Sequence, residues 1–462
     1  MSPNWDANSH ATERRIFLDA SYTVMSGKNS GIERVVRSII REFNEMSREG
    51  WIGQPTIVFF LANKFYALNE SLQQQLASTA SMQAKVQNCL PKTYLSIATA
   101  LAAAIKSRRL ERYLLPQAGH LGIFKVPHLV RQARDQVAIK QQCQPVTFRN
   151  GDLLLLPDAY WINRLRSSIW NSVEECNAAG GSTATIVYDL IPLSHPEYVG
   201  EKRRRAFEQY MQLAANHSRR LLTISNSVRK DVTEYLASHK LDRCTVDSFE
   251  LGAEINDQAG SVRKSLQSLF QGVNANAPYI MVSTLDPRKN HNYLLNTFDL
   301  LWNAFEQKTP LVLIGRSGAQ CEELYQRIRN HPQFGQRLFH FQDLNDAELQ
   351  FCYRKSRGVI FPSFVEGFGL PIAESLYFGK KTFVSDTPIH REVGREDCVY
   401  FNLHHPHALA HAILSWNQVK EFEQPLPRRQ TRSWREAAQQ ILQKCDFPTR
   451  PSQPMQNNSR AA

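Results

Sequence analysis

Two glutamates flank a glycine-rich turn in the stretch FPSFVEGFGLPIAESLYFGKK. The apolar run Gly358–Phe361 predicts a buried strand just before Glu366, and Pro371 suits a helix start because its missing N–H would be unpaired there. We therefore expect Glu366 at the carboxyl end of a strand, where open α/β sheets bind ligands, and Glu374 in the first turn of the helix. The alternative is that one glutamate favours a helix start and the other lies in a solvated loop.

Basic residues follow a second apolar run in the same half of the chain. Arg288 and Lys289 lie in the turn STLDPRKN, directly after YIMV. A guanidinium binds phosphate oxygens in pairs and an ammonium adds a point charge, so this pair is a candidate for holding an anion. Gly315 and Arg316 occupy the same place after PLVLI. Basic pairs in turns are often simply solvated, and spacing alone leaves both interpretations open.

Three further candidates lie in the first half of the chain. Gly31 opens a predicted helix in GKNSGIER, and the free N–H groups of that helix could meet a phosphate. Asp189 ends the predicted strand in VYDLIP, and Ser225 begins the segment SNSVRKDV. An ordinary turn glycine would also explain Gly31, and a helix cap would explain Ser225. No single residue decides between these alternatives.

Alternating apolar runs and helix-like segments predict the elements that must position these residues. The first part has predicted strands at RRIFLDASYT, QPTIVFFLA, DLLLLP, TATIVYDLIP, RRLLTISNS and CTVDSFELG, with a helix at GIERVVRSIIREF. The second part restarts with YIMVST, PLVLIG, RLFHFQ, GVIFPS and KTFVSD, separated by helices. This alternation predicts an α/β fold with two Rossmann-like, doubly wound parallel-sheet domains facing a central cleft.

The domain boundaries are predicted from where the alternation stops and restarts. We expect an N-terminal tail over 1–14, a first Rossmann-like domain over 15–255 with a helical region at about 70–145, a linker over 256–277, a second Rossmann-like domain over 278–428, a C-terminal helix over 429–447 and a disordered tail over 448–462. A chain of 462 residues exceeds the size of one usual core, which agrees with two domains.

Composition limits the classes of protein and of partner. The net charge of +12 favours an anionic partner, whether nucleic acid, an anionic membrane face or a phosphorylated small molecule. Eight scattered cysteines without a CxxC pair argue against a disulfide framework and a zinc site. The N-terminus lacks an apolar signal core, and no run reaches the length of a membrane-spanning helix. We expect a cytoplasmic protein.

The order of these motifs resembles glycosyltransferase family 4, a bacterial polysaccharide-type family with the GT-B fold. The resemblance rests on Gly31-Ile32, Tyr188-Asp189, SNSVRKD, Leu251-Gly252, Arg288-Lys289-Asn290 and FPSFVEGFGLPIAE. It extends from about residue 15 to 445, and its most specific part is the motif EGFGLPxxE, in which Glu374 follows Glu366 after eight positions.

The resemblance implies a role for each charged candidate. Glu374 would accept hydrogen bonds from the ribose hydroxyls of a sugar nucleotide, and Glu366 would face the ring hydroxyls of the donor sugar. Arg288 and Lys289 would hold the diphosphate, and Gly31 would let the N-terminal loop approach it. The implied catalytic set is Glu366, Asp189, Arg288 and Lys289.

The resemblance also implies a nucleotide-sugar-binding set formed largely by backbone groups. Its members, besides Gly31 and Glu374, are Gly315, Arg316, Gly367, Phe368, Gly369 and Leu370. Many relatives carry a histidine where Tyr188 stands, so its contact with the donor sugar does not carry over, although Asp189 would still orient donor or acceptor. Many also carry an arginine at the position of Thr284, and here Arg288 would replace it.

The expected function is retaining transfer of a hexose from a nucleotide-diphosphate sugar to a glycan or lipid-linked acceptor. Mannose, rhamnose and glucose are all open as the donor sugar. No metal and no cofactor are expected, because fixed cations stabilise the departing diphosphate. The positive charge would support peripheral contact with the anionic inner membrane face, where the family meets lipid-linked acceptors.

Three rival functions use parts of the same pattern. Nucleic-acid binding would use the positive charge, but no recognition module and no interleaved aromatic residues appear, so no nucleic-acid partner is expected. A NAD-dependent oxidoreductase would need GxGxxG, and GFGLPI has Pro371 instead of the third glycine. A sugar-nucleotide epimerase of the same fold stays open as an alternative.

Overall fold

The computed structural model describes residues 14–26, 31–61, 63–68, 73, 144–162, 168–255, 260–270, 277–318, 321–418 and 431–449. The predicted helical region at 70–145 lies almost wholly outside these residues, as do the two predicted tails. Contacts divide the chain into two compact units, of which the first comprises Met1–Thr185, His217–Arg219 and Phe447–Ala462 and the second Ile186–Asn216 and Arg220–Asp446.

The first unit is built on a mixed β-sheet. Its described strands are β1 (Ile16–Asp19), β2 (Thr56–Leu61), β3 (Lys64–Ala67), β4 (Gln144–Pro145), β5 (Leu153–Leu156) and β6 (Ser182–Val187), which ends just past the unit boundary. They follow the order β4-β3-β2-β1-β5-β6. The pairs β1–β2, β1–β5 and β5–β6 are parallel, as predicted, whereas β3 runs antiparallel to both β2 and β4. The predicted parallel sheet therefore carries an antiparallel edge formed by β3 and β4.

The first predicted strand is shorter than the apolar pattern suggested. It ends at Asp19, and a helix, Ser21–Ser26, replaces the predicted continuation to Thr23. The Asp19 carboxylate accepts a hydrogen bond from the Ser21 backbone N–H at 3.2 Å, a local bond that favours a turn over an extended strand. The predicted helix from Gly31 is confirmed as Gly31–Arg48, and its apolar face is buried.

Two buried carboxyl groups organise the residues after β1. Asp19 accepts from the hydroxyls of Ser21 and Tyr160, and Asp158 accepts from the Thr23 backbone N–H at 2.8 Å. Burial raises the pKa of Asp19 to about 6, with its hydrogen bonds opposing the rise. Burial and the Asp19 charge raise the pKa of Asp158 to about 8. The native first unit therefore holds protons that the unfolded chain releases.

These shifts predict a pH-dependent stability of the first unit. Because both pKa values lie above the ordinary value of 3.8, the stabilising contribution is complete below that pH and is lost as the pH rises through about 6 and about 8. We expect the free energy of unfolding to fall between pH 5 and pH 8 by up to about 1.4 kcal/mol per pH unit for each group, and the melting temperature to fall with it. Asp19→Asn should reduce this fall because it removes one of the two titrating carboxyl groups. The amide can still form a hydrogen bond with Tyr160, so the fold should be kept. An equal fall in the variant, or a similar reduction in the exposed control Asp242→Asn, would contradict the assignment.

The second unit contains a parallel sheet that the sequence predicted well. Its strands are β9 (Tyr279–Val282), β10 (Leu311–Ile314), β11 (Leu338–Phe341), β12 (Gly358–Phe361), β13 (Thr382–Ser385) and β14 (Cys398–Phe401), following the parallel pair β7 (Arg220–Thr223) and β8 (Thr245–Ser248). The described strands β9–β14 follow the order β11-β10-β9-β12-β13-β14, and each neighbouring pair among them is parallel. Only β14 lacked a predicted counterpart.

Successive residues along a strand point to opposite faces of the sheet, and both faces of this sheet carry apolar residues. Helices therefore cover both faces. In β9, Met281 packs into a core with the helices His291–Asn303 and Pro406–Asn417. Ile280 packs on the other face with the helices Lys264–Phe270 and Asp346–Lys355. The unit is therefore doubly wound, as predicted.

The bounds of the remaining helices can be compared with those predicted from the sequence. The helix predicted over Glu322–Arg329 has those bounds, and the predicted C-terminal helix is present as Trp434–Lys444. The helix Lys264–Phe270 lies inside the stretch predicted as a linker. It is stabilised there because Leu266 and Phe270 are buried in the core of the second unit. The sequence pattern there is too short to reveal an amphipathic face. The other described helices are Ile169–Ala178, Ile191–Ser194, Glu201–His217, Asn226–Ser238, Leu370–Tyr377 and Pro388–Gly394.

Candidate functional site

Two adjacent strands of the second unit deliver the strongest candidates to one edge of the sheet. Strand β9 pairs in parallel with β12, so both strands end at the same edge. A short 3₁₀ helix, Pro287–Lys289, follows β9, and Glu366 follows β12 after a brief turn. Asp286 caps the 3₁₀ helix by accepting from the Arg288 backbone N–H at 3.1 Å. The sequence prediction that Arg288, Lys289 and Glu366 share a strand-end site thus has a direct topological basis.

The side chains at this edge form an ion cluster of Arg288, Lys289 and Glu366, with Asp286 3.7 Å from the Arg288 guanidinium. The Arg288 guanidinium donates to one carboxylate oxygen of Glu366 at 2.8 Å, and the Lys289 ammonium donates to the other. Arg288 also donates to the Val365 carbonyl at 3.2 Å, and its own carbonyl accepts from the Phe364 N–H at 2.9 Å. Side chain and backbone therefore both tie the two loops together.

Burial makes the electrostatics of this cluster strong. The Glu366 side chain is only 7% exposed. Burial alone would raise the pKa of Glu366, but the charges and hydrogen bonds of Arg288 and Lys289 outweigh burial and lower it to about 2. Burial and the neighbouring Arg288 charge lower the pKa of Lys289 to about 8, while Glu366 opposes both. The carboxylate is therefore ionised at neutral pH.

Asp189 joins this electrostatic environment from a different strand end. It lies two residues after β6 and accepts from the Ile191 N–H at 3.0 Å. Burial raises the pKa of Asp189, and the positive charge of Arg288 opposes that rise. The predicted catalytic residues Asp189, Arg288, Lys289 and Glu366 are therefore electrostatically coupled in the structure.

The glycines after Glu366 are required by close packing and by backbone conformation. A Cβ on Gly367 would lie 2.2 Å from the Tyr188 carbonyl oxygen, which no side chain could tolerate without movement of the backbone. Gly369 has φ +95°, a left-handed conformation that favours glycine, and it precedes the helix that begins at Leu370. Between them, the Phe368 side chain is largely buried.

A serine that the sequence left ambiguous makes two contacts. The Ser225 side chain accepts from the Val228 N–H at 3.1 Å, so it is a helix cap. Its hydroxyl also donates to the Gly367 carbonyl at 2.9 Å. Ser225 therefore links the start of the helix Asn226–Ser238 to the loop that follows Glu366.

Two functionally placed residues carried no signal in the sequence. The Glu392 carboxylate accepts from the backbone N–H groups of Asn226 at 2.6 Å and Ser227 at 2.8 Å, across about 165 residues of chain. His390 is fully buried, and its Nδ1 lies 2.9 Å from the Ser385 carbonyl. Burial lowers the pKa of His390, while the charge of Glu366 opposes that shift. Long-range contacts of this kind leave no local spacing to read.

Glu374 is buried and is the fifth residue of its helix, one position later than predicted and just beyond the first turn. The helix begins at Leu370 with Pro371 as its second residue, so the first turn contains no acidic residue. The reason is the left-handed Gly369, which lets the helix start one residue before the proline. The Glu374 side chain is 1% exposed and accepts from the Tyr353 hydroxyl at 2.7 Å. Glu374 lies in the helix that follows the loop of Glu366, and it is not part of the ion cluster.

The remaining candidates are Gly315 and Arg316 in the second unit and Gly31 in the first. Gly315 follows β10 with φ +151°, and a Cβ there would lie 1.9 Å from the Ser283 carbonyl oxygen. Arg316 is exposed. Gly31 belongs to the first unit and is exposed at the first position of its helix. A Cβ added to Gly31 would meet no atom within 4 Å, so packing does not require a glycine there. Its predicted role stays a prediction.

Metal ligands and membrane spans are both missing from the part of the chain that the structure describes. Within it, no group of three or more His, Cys, Asp or Glu side chains is arranged to hold a metal ion. No described helix combines the length and the apolar character needed to cross a bilayer. The six cysteines in the described ranges, at positions 176, 244, 321, 352, 398 and 445, are free thiols.

The sequence is similar to a known protein family and to two characterised mannosyltransferases. Residues 273–436 match the family described as glycosyl transferases group 1. The serotype-specific mannosyltransferase WbdA of Escherichia coli is 30% identical over 298 residues, which cover 63% of this chain and 36% of WbdA. The O-antigen chain mannosyltransferase B of Escherichia coli is 26% identical over 213 residues, covering 45% of this chain and 54% of that protein. The chain spans about a third of the length of WbdA.

Solved structures give the fold. Anabaena HepE in complex with UDP and glucose has a TM-score of 0.52 and 15% sequence identity, covering 94% of this chain and 95% of HepE. The HepE complex with UDP-glucose gives the same TM-score and identity. This likeness agrees with the two Rossmann-like halves predicted from the sequence. Residues 273–436 are therefore similar to the glycosyl transferases group 1 family, and the chain has the GT-B fold.

Proposed function

We propose that the chain is a retaining glycosyltransferase of family 4 that moves a hexose from a nucleotide-diphosphate sugar to a glycan or lipid-linked glycan. The observation that carries the proposal is the buried cluster of Arg288, Lys289 and Glu366 at the ends of β9 and β12. It combines two fixed cations, suited to a diphosphate, with a carboxylate suited to sugar hydroxyls. Two relatives named as mannosyltransferases favour mannose as the sugar and O-antigen-type polysaccharide as the product class.

The proposed chemistry depends on where charge develops. When the anomeric C–O bond breaks, the sugar becomes oxocarbenium-like and the departing diphosphate gains negative charge. Arg288 and Lys289 would stabilise that charge more in the transition state than in the ground state, which lowers the barrier. The leaving phosphate would accept the proton of the acceptor hydroxyl on the same face of the sugar, so the anomeric configuration is retained. No metal or cofactor is assigned a step.

The other predicted residues receive supporting roles in this proposal. Glu366 would orient the donor sugar, and Asp189 would orient donor or acceptor beside it. The backbone of Gly367, Phe368 and Gly369 would contribute N–H groups to sugar or phosphate. The further donor-binding residues remain those implied by the family, namely Gly31, Gly315, Arg316, Leu370 and Glu374. We place the reaction in the cytoplasm, with the basic surface supporting peripheral contact with an anionic inner membrane face.

A donor screen tests the function. The full chain is mixed with GDP-mannose, UDP-glucose and a rhamnose nucleotide, and the melting temperature is recorded, since a ligand that binds the native state raises it. The stabilising donor is then incubated with a lipid-linked glycan acceptor in the presence of EDTA, and the product is analysed by mass spectrometry. We expect transfer that persists in EDTA. Conversion of the donor to an epimer without transfer would support the epimerase alternative, and salt-sensitive nucleic-acid binding without donor binding would refute the proposal.

Glu374 provides a prediction about donor binding. If its carboxylate binds the ribose hydroxyls, Glu374→Ala should weaken donor binding in calorimetry by about 2–3 kcal/mol, the value of charge-assisted hydrogen bonds. Tyr353→Phe is the matched control, because it removes the internal bond to Glu374 but keeps the carboxylate. The control should bind the donor within a few-fold of the wild type. Unaltered affinity in a folded Glu374→Ala variant would remove the ribose assignment.

A further inference from the structure

The two cations proposed to hold the diphosphate are already occupied in the structure. Each oxygen of the Glu366 carboxylate accepts from a different cation, Arg288 on one side and Lys289 on the other. The Glu366 and Lys289 side chains are 7% and 11% exposed, so water cannot easily replace either partner. A phosphate group that binds both cations competes with Glu366 for them, and any ion pair that Glu366 loses must be compensated.

A bare nucleoside diphosphate and an intact nucleotide sugar differ in how they compensate this loss. Either ligand can satisfy Arg288 and Lys289 with its phosphate oxygens. Only the intact donor can also offer hydroxyl groups to the released carboxylate. A buried carboxylate without a partner is strongly unfavourable, so the bare diphosphate competes at a disadvantage.

We infer, resting on the proposed function, that Glu366 discriminates between the intact donor and the spent diphosphate, and that it promotes product release by re-forming its ion pairs with Arg288 and Lys289. While the sugar is bound, its hydroxyls occupy the carboxylate. Once the sugar has left, the carboxylate becomes available to the cations again. The same residue thereby acts in substrate selection and in release.

The surroundings of Glu366 favour an exchange of side-chain partners over a movement of the loop. Gly367, the next residue, packs directly against the Tyr188 carbonyl, and its own carbonyl accepts from Ser225 at 2.9 Å. The Arg288 carbonyl is held by the Phe364 N–H at 2.9 Å. With the backbone fixed on both sides, the carboxylate stays within reach of its cations after each turnover. The low pKa of Glu366, about 2, keeps it ionised and able to pair.

Glu366→Gln tests the inference because glutamine keeps the shape and can still bond to hydroxyls, but it cannot neutralise the two cations. Affinities for GDP and UDP, and for GDP-mannose and UDP-glucose, are measured by calorimetry on the full chain. We expect the affinity for the cognate bare diphosphate to rise about tenfold or more, with no comparable rise for the intact donor. Product inhibition of any residual turnover should strengthen to match. An unchanged or lower diphosphate affinity would overturn the inference.

The control variant is Glu348→Gln, which also removes a buried carboxylate paired with an arginine. Glu348 is 2% exposed and accepts from Arg263 at 2.6 Å, away from the ion cluster. Its diphosphate affinity should equal that of the wild type, and a tenfold rise there would overturn the assignment to Glu366.

A measurement on the wild type keeps the inference testable if Glu366→Gln does not fold. Free hexose of the donor type should tighten diphosphate binding, because its hydroxyls would satisfy the released carboxylate, and the effect must be reciprocal. Absence of this coupling in a protein that binds the diphosphate and transfers sugar would overturn the inference alone. A wild type that binds no nucleotide and transfers no sugar would overturn the proposed function and the inference together.

Discussion

Replacing Arg288 by alanine is expected to lower kcat by about 10²- to 10³-fold, the usual effect of removing one fixed group that stabilises transition-state charge. The guanidinium bonds to Glu366 and to the Val365 carbonyl, so its loss removes a proposed phosphate donor and leaves the carboxylate with Lys289 alone. The measurement is steady-state transfer from the cognate nucleotide sugar. Arg288→Lys should recover part of the rate, because it restores charge without the planar fork.

The control for this prediction is an arginine of the same unit that bonds at the surface. Arg327 donates to the side chains of Asn292 and Asn296, and Arg327→Ala should leave transfer within a few-fold of the wild type. If Arg288→Ala retained nearly full turnover, the proposed diphosphate-binding role would be wrong. If Arg327→Ala lost as much, the effect would be one of folding.

Gly367→Ala should damage both stability and activity. Its Cβ would lie 2.2 Å from the Tyr188 carbonyl oxygen and 3.0 Å from the Asp189 Cβ, so the loop that carries Glu366 must move. Overpacking of this kind costs about 1–3 kcal/mol, and a displacement near 1 Å can reduce turnover about 10²-fold. The melting temperature and the transfer rate are the two measurements.

Gly31→Ala is the matched control for the melting temperature. Gly31 has no neighbouring atom within 4 Å of an added Cβ, so the substitution should leave the melting temperature close to that of the wild type. A Gly367→Ala variant with native stability and native turnover would show that the loop tolerates displacement, and it would weaken the argument that the backbone around Glu366 is fixed.

The second half of the chain could be predicted closely because its local signals agree with its tertiary structure. Strands β9 to β13 are short apolar runs ended by Gly, Pro or polar residues, and parallel pairing then brings their carboxyl ends to one edge. That logic placed Arg288 and Lys289 beside Glu366 without any structure. Spacing does not reveal that both cations pair directly with Glu366, because the resemblance assigns the cations to phosphate and the carboxylate to sugar.

The errors have physical causes that spacing does not encode. The segment after Asp19 has residues typical of strands, yet the buried Asp19 carboxylate turns the chain into a helix through Ser21. Strand β3 pairs with β2 through a two-residue connection in which Asn63 has φ +65°, a short signal that the apolar pattern did not reveal. It pairs with β4 across a long intervening stretch, which leaves no hairpin signal. Glu374 was placed one position too early in its helix because the left-handed conformation of Gly369 lets the helix begin before its proline.

The Glu392 carboxylate limits where a phosphate can bind in the second unit. It fills the N-terminus of the helix Asn226–Ser238 by accepting from two backbone N–H groups, a position that in many α/β enzymes receives a substrate phosphate. An internal anion therefore blocks inorganic phosphate or sulfate from that terminus. In the proposed reaction, the donor diphosphate must then bind elsewhere in this unit, at Arg288 and Lys289, where point substitutions can change its affinity.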